Sequence, residues 1–235
     1  MNILGIAAHP DDLEIGCAGT LAKFVKQGHT VYMCHIANGN LGHKIIEPDE
    51  LRDIRTKEAE RAAAIIGAKA AYNGDAGDTC IEPTDRELVM RIVEIIRKTK
   101  PDLIITNNSE DYMRDHEMAS EIAVNASFLA TLPHIRTESP SIDKIAPVYF
   151  MDTLAGIGFQ PTEYVDITDT IEIKLEALRQ HESQIKWMMD HDNIDFPDMV
   201  RTCSKYRGYQ CNAAYAEGFR PYLGYLRPTT TRLLP

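Results

Sequence analysis

The chain has 235 residues, of which 44% are hydrophobic, 7% aromatic and 26% charged, a composition that supports one globular domain with a buried core. It excludes disordered, collagen-like and membrane-spanning proteins. The net charge of -10 also excludes a nucleic-acid partner, because phosphate binding needs clustered basic residues. Five scattered cysteines indicate reduced thiols, and the N-terminus lacks a signal-peptide pattern, so we expect a cytoplasmic protein.

The first half of the sequence alternates short apolar runs with amphipathic stretches. This pattern is typical of a parallel sheet with helices on its faces. Because it occurs four times, we predict an α/β fold with a Rossmann-like, mostly parallel sheet covered by helices on both faces. In chain order, strands are predicted at 3–8, 30–37, 69–72 and 103–106, and helices at 15–27, 51–66, 84–98 and 115–130.

The pattern weakens beyond residue 132. We expect a single domain in which residues 1–132 form the Rossmann-like core, while residues 133–235 form a C-terminal extension that completes the site and provides subunit contacts. Aromatic and Met side chains such as Trp187 could line a channel over the site, although core or interface packing is their more common role. In this extension, strands are predicted at 148–152 and 164–167, and a helix at 170–189.

Polar side chains follow each of the first four predicted strands. In parallel sheets, ligands bind beyond the carboxyl ends of the strands, so the loops at these positions should face one site. The loops carry His9, Asp11, Asp12 and Glu14 after the first strand, Asn38, Asn40 and His43 after the second, Asp75 and Asp78 after the third, and Asp111, Asp115 and His116 after the fourth.

His9 and Asp12 lie three residues apart at a strand-to-helix turn, where they can present a nitrogen and an oxygen to one cation such as zinc. His116 is the best candidate for a third ligand, because it follows a parallel strand. Two imidazoles and one carboxylate leave a position for water, which zinc activates for hydrolysis. Asp11 can then serve as general base. A plainer alternative is that Pro10 ends the strand and both aspartates cap the next helix.

Segment 8–14, which reads AHPDDLE, resembles the signature of the PIG-L or LmbE-like family of zinc-dependent N-acetylglucosaminyl deacetylases. The resemblance covers nearly the whole chain and is closest to the bacillithiol-type subgroup. It implies one zinc ion, a small amino-sugar conjugate as substrate, and a homo-oligomer, either a trimer or a hexamer. The other similar segments are 16–20, 55–58, 115–116, 166–170, 181–184 and 215–219, together with Asp78 and Lys174.

Carried over position by position, the resemblance assigns the same three metal ligands and the same general base as the residues alone. It further implies that Arg55 binds sugar hydroxyls or an acidic aglycone and that Asp78 contacts the sugar. An ion pair with Glu58 is the plain alternative for Arg55. We place His43 with these candidate substrate-binding residues. Two further residues are expected to support the site, by orienting a ligand imidazole or capping a helix: Asp115 and Glu14.

One position departs from the family pattern. The second family motif is usually His-x-Asp-His, whereas residues 113–116 read MRDH, so Met113 replaces a His that is generally assigned to protonate the leaving amine or steady the oxyanion. Three possibilities follow: Asp11 makes both proton transfers, another residue such as His43 or Tyr112 substitutes, or deacetylation is weak. We favour Asp11, because a carboxylate that takes a proton from water can then deliver it to the amine.

Two other functions compete with this prediction. If Met113 abolishes turnover, the chain is a metal-loaded protein that binds a sugar conjugate without hydrolysing it. A nucleotide-binding Rossmann enzyme is disfavoured, because the first strand-to-helix turn lacks the Gly-x-Gly-x-x-Gly motif. The sequence therefore predicts a metal-dependent N-deacetylase that acts on a small molecule and neither binds nucleic acid nor spans a membrane.

Overall fold

Strands and helices alternate along the computed structural model, which describes residues 1–235. The strands are β1 (Asn2–Ala7), β2 (Thr30–Ala37), β3 (Ala70–Ala76), β4 (Leu103–Thr106), β5 (Val148–Met151), β6 (Glu163–Asp166) and β7 (Ala216–Pro221). The helices are α1 (Asp12–Gly16), α2 (Ala18–Lys26), α3 (Pro48–Ile66), α4 (Arg86–Thr99), α5 (Arg114–Leu129), α6 (Ile171–Arg179), α7 (Glu182–Asp192) and α8 (Phe196–Cys211).

The strands form one sheet in the order β3-β2-β1-β4-β5-β7-β6. Strands β1 to β5 pair in parallel, whereas β7 runs antiparallel to both β5 and β6. The predicted mostly parallel α/β sheet is confirmed. Chain connections diverge to opposite sides at the β1 and β4 pair, which is the point where sheets of this type bind ligands beyond their carboxyl ends.

Two apolar cores lie on opposite faces of the sheet. Neighbouring residues of β1 point to different cores, with Ile3 in one and Leu4 in the other. Helices α2, α3 and α6 contribute to the first core, and α4 and α5 to the second. Burial on both faces explains why the central strands read as continuous apolar runs in the sequence. None of the helices has the length and apolar content needed to cross a lipid bilayer.

The helix predicted at 15–27 is divided into α1 and α2. The break is at Cys17, whose φ of -149° and ψ of 8° are not helical. The amide groups freed at the start of α2 find a distant partner, because the carboxylate of Glu217 accepts hydrogen bonds from the N–H groups of Gly19 and Thr20 at 3.0 and 2.8 Å. Glu217 also pairs with the buried ammonium of Lys174 at 2.5 Å. Through these contacts, Glu217 holds the C-terminal extension against the Rossmann-like core.

The helix predicted at 170–189 is likewise two helices, α6 and α7. The chain turns at His181, whose side chain is fully buried and faces the carboxylate of Glu14. The sequence pattern indicates neither α8 nor β7. In α8 the buried apolar side chains are few, and β7 contains a buried Glu and ends at Pro221, so both elements lack the usual periodic signals.

Candidate metal centre and active site

A cavity of about 570 Å³ opens at the carboxyl ends of β1 to β4. Loops after all four strands contribute to its wall, as the sequence predicts for a parallel sheet. The amide oxygen of Asn107, directly after β4, accepts a hydrogen bond from the N–H of Ala8 at 2.9 Å and joins the two central loops. Residues of the extension complete the wall: Met151, Asp152, Leu154, Gln184, Trp187, Met188 and Phe196.

His9, Asp12 and His116 converge in this cavity. One possible ligand atom from each residue lies within 4.8 Å of the other two. Nε2 of His116 is 3.3 Å from one carboxylate oxygen of Asp12, and Nδ1 of His9 is 3.6 Å from the other. Two imidazole nitrogens and a carboxylate oxygen form a donor set that zinc accepts. The three residues predicted as ligands therefore could hold a metal ion.

Local backbone structure brings the three side chains together. Asp12 is the first residue of α1, and its carboxylate accepts a hydrogen bond from the N–H of His9 at 2.8 Å, which closes the turn after β1. His116 lies in the first turn of α5. The alternative in which both aspartates cap the next helix is wrong, because no side chain makes a capping hydrogen bond at the N-terminus of α1.

An aspartate lies behind each imidazole. Nε2 of His9 is 3.0 Å from the carboxylate of Asp115, which also accepts a hydrogen bond from the N–H of Thr79 at 2.8 Å. Nδ1 of His116 is 3.1 Å from the carboxylate of Asp111. Partners of this kind fix the tautomer and orientation of metal-binding histidines. The sequence identifies Asp111 only as a loop residue, because no recognisable sequence pattern relates its position to that of His116.

The carboxylates also make the site electronegative. Burial lowers the pKa of His9, but hydrogen bonds with Asp115 and Asp12 outweigh burial and raise that pKa to about 9. Burial likewise lowers the pKa of His116, while the charge of Asp12 and a hydrogen bond with Asp111 raise it to about 10. The same negative charge favours a divalent cation, which displaces these protons when it binds.

Asp11 lies beside the three converged residues in an unusual conformation. Its φ of 124° and ψ of -24° fall in a region that residues other than glycine rarely adopt. Burial raises the pKa of its carboxyl to about 6, against the opposing charge of Arg55. A carboxylate with such a pKa can accept a proton near neutral pH. Its side chain also lines the cavity, so substrate can reach it.

Arg55 and Asp78 lie at the cavity wall but interact mainly with backbone. The guanidinium of Arg55 donates hydrogen bonds to the carbonyl oxygens of Gly39, at 3.3 Å, and Pro10. The carboxylate of Asp78 accepts hydrogen bonds from the N–H groups of Gly39 and Leu41, both at 2.9 Å. Asp78 therefore shapes the loop after β2. Arg55 does not form the ion pair with Glu58 that the sequence suggested as an alternative role.

Glu58 and two candidate site residues point elsewhere. The carboxylate of Glu58 accepts hydrogen bonds from the N–H and hydroxyl groups of Ser183, at 2.8 and 2.6 Å. His43 does not line the cavity, and its Nδ1 accepts a hydrogen bond from the N–H of Ile46 at 3.1 Å. Glu14 is fully buried beneath the cavity, where it lies 3.6 Å from Nε2 of His181 and makes no helix-capping hydrogen bond.

Met113 and Tyr112 lie at the cavity mouth. Met113 immediately precedes α5, and its partly exposed side chain lines the cavity. The ring of Tyr112 packs edge-on against that of His116, with centroids 5.8 Å apart. Burial and the nearby carboxylate of Asp12 raise the pKa of the Tyr112 phenol to about 12, so this group keeps its proton at neutral pH.

Comparison with known proteins identifies the family. Residues 4–127 match the family model described as PIG-L, GlcNAc-PI de-N-acetylase. A diacetylchitobiose deacetylase from Thermococcus kodakarensis is 32% identical over 231 residues, which cover 93% of this chain and 82% of the relative. An N,N'-diacetylchitobiose deacetylase structure from Pyrococcus horikoshii has a TM-score of 0.82 at 27% identity, and the match covers 97% of this chain and 87% of that one.

One further structure has the same fold at lower sequence identity. The 4-carboxy-2-hydroxymuconate hydratase GalB from Pseudomonas putida KT2440 has a TM-score of 0.82 at 22% identity, with full coverage of both chains. A likeness at this level concerns the fold alone, since one fold can host several reactions. The family model covers more than half of the sequence, and the Thermococcus relative aligns with most of it, so this chain belongs to the PIG-L deacetylase family.

Proposed function

We propose that this protein removes the acetyl group from an N-acetylglucosamine-type amino-sugar conjugate in a zinc-dependent hydrolysis. The observation that carries the proposal is the convergence of His9, Asp12 and His116 within 4.8 Å, beside a buried carboxylate in a cavity. Membership of the PIG-L family and the similarity to a diacetylchitobiose deacetylase support the reaction and the substrate class.

The proposed ligands suit zinc in number and in chemistry. Three protein ligands with nitrogen and oxygen donors are typical of catalytic zinc sites, which keep one position open. When bound, zinc acts as a Lewis acid on the acetyl carbonyl and makes water acidic enough to react near neutral pH. Asp115 and Asp111 hold the two imidazoles from behind, so little rearrangement is needed for binding.

Asp11 is the proposed general base. Its carboxylate lines the cavity next to the ligands, where it can take a proton from the attacking water. The water oxygen bonds to the acetyl carbon, and the carbon–nitrogen bond then breaks. Asp11 returns the proton to the departing nitrogen, which leaves as a free amine while the acetyl group leaves as acetate. The Asp11 carboxylate thus makes both proton transfers, and Met113 takes no part in them.

The cavity supports a substrate larger than a single acetylated amine. Its volume of about 570 Å³ lies within the range of pockets that enclose small ligands, and much of its far wall is apolar, including Trp187 and Leu154. We therefore assign it a sugar together with a small aglycone. Arg55, Asp78 and His43 remain candidate substrate-binding residues, of which Arg55 and Asp78 line the cavity.

Acetate release from a panel of substrates tests this function. Purified protein is loaded with zinc and incubated with diacetylchitobiose, N-acetylglucosamine and N-acetylglucosaminides that carry neutral, acidic or alkyl aglycones. We expect zinc-dependent acetate release from at least one conjugate. Asp11→Asn should retain zinc but lose about 100-fold to 10,000-fold in kcat, because it cannot accept a proton. Absence of acetate release from every substrate, with zinc bound, would overturn the proposal.

The binding-only alternative has no support in these comparisons, because the relatives with a named activity are enzymes. If conjugates bind but none is hydrolysed, the result would favour the binding-only alternative.

We also propose a homo-oligomer, with a trimer or hexamer as the expected form. Several large apolar side chains near the C-terminal segment are exposed, which favours self-association. Light scattering of the purified protein tests this proposal, and a monomer at all concentrations would refute it. The exposed side chains are Phe128, Leu223, Tyr225 and Leu226.

A further inference from the structure

Helix α7 presents one face to the cavity. The side chains of Gln184, Trp187 and Met188 all line the cavity wall, and their spacing of three and four residues places them on the same side of the helix. The ring of His191, one turn further along, stacks on that of Trp187 with centroids 4.4 Å apart. The position and rotation of α7 therefore determine where this part of the wall lies relative to the candidate metal site.

The first turn of α7 is capped by a residue of another helix. His181 is the N-cap residue, but its side chain makes no capping hydrogen bond. The carboxylate of Glu58, on α3, instead accepts hydrogen bonds from the N–H and hydroxyl groups of Ser183 at 2.8 and 2.6 Å. A carboxylate at a helix N-terminus satisfies a free N–H group and interacts favourably with the helix dipole.

Both partners in this contact lie inside the protein and away from the cavity. Glu58 is 2% exposed and Ser183 is 8% exposed, and neither residue lines the cavity. Hydrogen bonds to a charged group are stronger than those between neutral groups, and a buried carboxylate that loses its donors is costly. The contact therefore fixes the start of α7 against α3 without offering either side chain to a substrate.

A second contact, at the next residue, fixes the rotation of α7. Nε2 of Gln184 donates a hydrogen bond at 3.1 Å to the carbonyl oxygen of Gly42, in the loop after β2. Two adjacent residues of α7 thus bind two different elements of residues 1–132. One contact alone would leave the helix free to turn about it, whereas the two together direct Trp187 and Met188 towards the cavity.

We infer that Glu58, acting through Ser183, is a positioning residue that places the wall formed by Trp187 and Met188 and thereby limits which aglycone fits. It contacts neither the substrate nor the groups that hydrolyse the amide. The inference rests on the proposed function for its kinetic consequences. Its structural part, the dependence of the Trp187 environment on the Glu58–Ser183 contact, is independent of the reaction.

Ser183→Ala tests the inference with a small change, because it removes the hydroxyl and keeps the N–H group. We expect kcat/KM on diacetylchitobiose to fall about 10-fold, the size of effect that a changed apolar contact has in a binding pocket. N-acetylglucosamine has no second sugar to meet the wall, so its kcat/KM should change by less than about two-fold. Bound zinc should stay unchanged. Ser183→Thr keeps the hydroxyl and should restore the natural values.

Glu58→Gln changes the other partner of the same contact. We expect the same selective loss on diacetylchitobiose, because the charged acceptor at the start of α7 is gone. Glu60→Gln is the matched control, since Glu60 lies on the same helix but is exposed. It should keep the natural preference between the two sugars. Thermal melting identifies any variant that has lost its fold.

Trp187 provides a readout that needs no turnover, because it is the only tryptophan in the chain. Its fluorescence therefore reports on α7 alone. We expect Ser183→Ala and Glu58→Gln to increase quenching by acrylamide and to shift the emission to longer wavelength, as α7 moves away from the core. Glu60→Gln and Ser183→Thr should leave both properties unchanged.

Trp187→Ala, alone and combined with Ser183→Ala, tests the route of the effect. If Ser183 acts through the wall, Trp187→Ala alone should produce a similar loss on diacetylchitobiose. Adding Ser183→Ala should then lower kcat/KM by less than about a further two-fold, because two changes on one route are not additive.

The outcomes separate this inference from the proposed function. If the natural protein releases no acetate from any substrate, the proposed function fails, while the fluorescence of Trp187 still decides the structural part. Unchanged fluorescence in folded Ser183→Ala and Glu58→Gln, an equal loss of kcat/KM on the two sugars, or a loss of zinc from these variants would each overturn the inference.

Discussion

The two parts of the chain contribute different chemistry to one cavity. Residues 1–132 supply every ionisable group that converges on the candidate metal site, on loops after parallel strands. Residues 133–235 supply a wall that is mainly apolar, from β5, α7 and the start of α8. Reacting groups need fixed geometry, whereas a wall needs shape and polarity. We therefore expect the first part to determine the reaction and the second part to determine which conjugate fits.

The largest expected effect tests the first half of that comparison. His116→Ala should lose bound zinc and all measurable acetate release, because a site with two protein ligands falls below the three that catalytic zinc sites use. Metal content by mass spectrometry, together with acetate release, measures both losses. His29→Ala is the control, since that imidazole is outside the cavity and near the N-terminal amine. Retention of zinc by His116→Ala would show that the metal binds elsewhere.

Glu217→Gln tests how firmly the two parts are joined. The change leaves the buried ammonium of Lys174 without its charge partner, so we expect a loss of about 3 to 5 kcal/mol in the free energy of unfolding. Urea denaturation measures it. Glu172→Gln breaks an exposed pair with Arg201 and should cost less than about 1 kcal/mol. Equal losses of unfolding free energy in the two variants would mean that the buried pair stabilises the protein no more than the exposed pair does.

Asp115→Asn tests whether the residue behind a proposed metal ligand affects zinc binding. Its carboxylate orients the imidazole of His9 from the side away from the proposed ion. We expect zinc affinity to fall about 10-fold to 100-fold, because loss of such a partner usually has this effect. Competition with a coloured chelator gives the affinity. Asp102→Asn, whose carboxylate pairs with Lys144 away from the cavity, is a suitable control and should bind zinc normally.

The smallest effect is expected from Met113→His, which restores the residue usual in the family. If Asp11 makes both proton transfers, kcat should change by less than about 10-fold, below the usual contribution of a new general acid. Met113→Leu keeps the apolar character and serves as the control. A gain of 100-fold or more in Met113→His alone would mean that the natural protein lacks a needed acid.

The sequence predicts the parallel core and the meeting of the first four loops, because both follow from local patterns. Apolar runs indicate buried strands, and residues directly after such strands must share one edge of the sheet. His9, Asp12 and His116 are close together for this reason. Asp11 is recognisable as a candidate base from its place in the same turn, although its strained backbone is not.

The features that the sequence does not predict depend on contacts between distant residues. The helix that starts after the break at Cys17 contacts Glu217, about 200 positions later, and the turn at His181 lies beside a carboxylate near the N-terminus. The contact of Arg55 with Pro10 is of the same kind, because helix periodicity shows which face is buried but not which carbonyl a guanidinium reaches. Side-chain partners of this kind follow only from the assembled fold.

The bond between Glu217 and the start of α2 also bears on the order in which the protein can be made. Helix α2 directly follows the short helix that carries Asp12, and the Glu217 carboxylate satisfies its first amide groups. During synthesis those amides lack their partner until residue 217 has emerged from the ribosome. The region around the turn that carries His9 and Asp12 therefore gains this support only after β7 has been made.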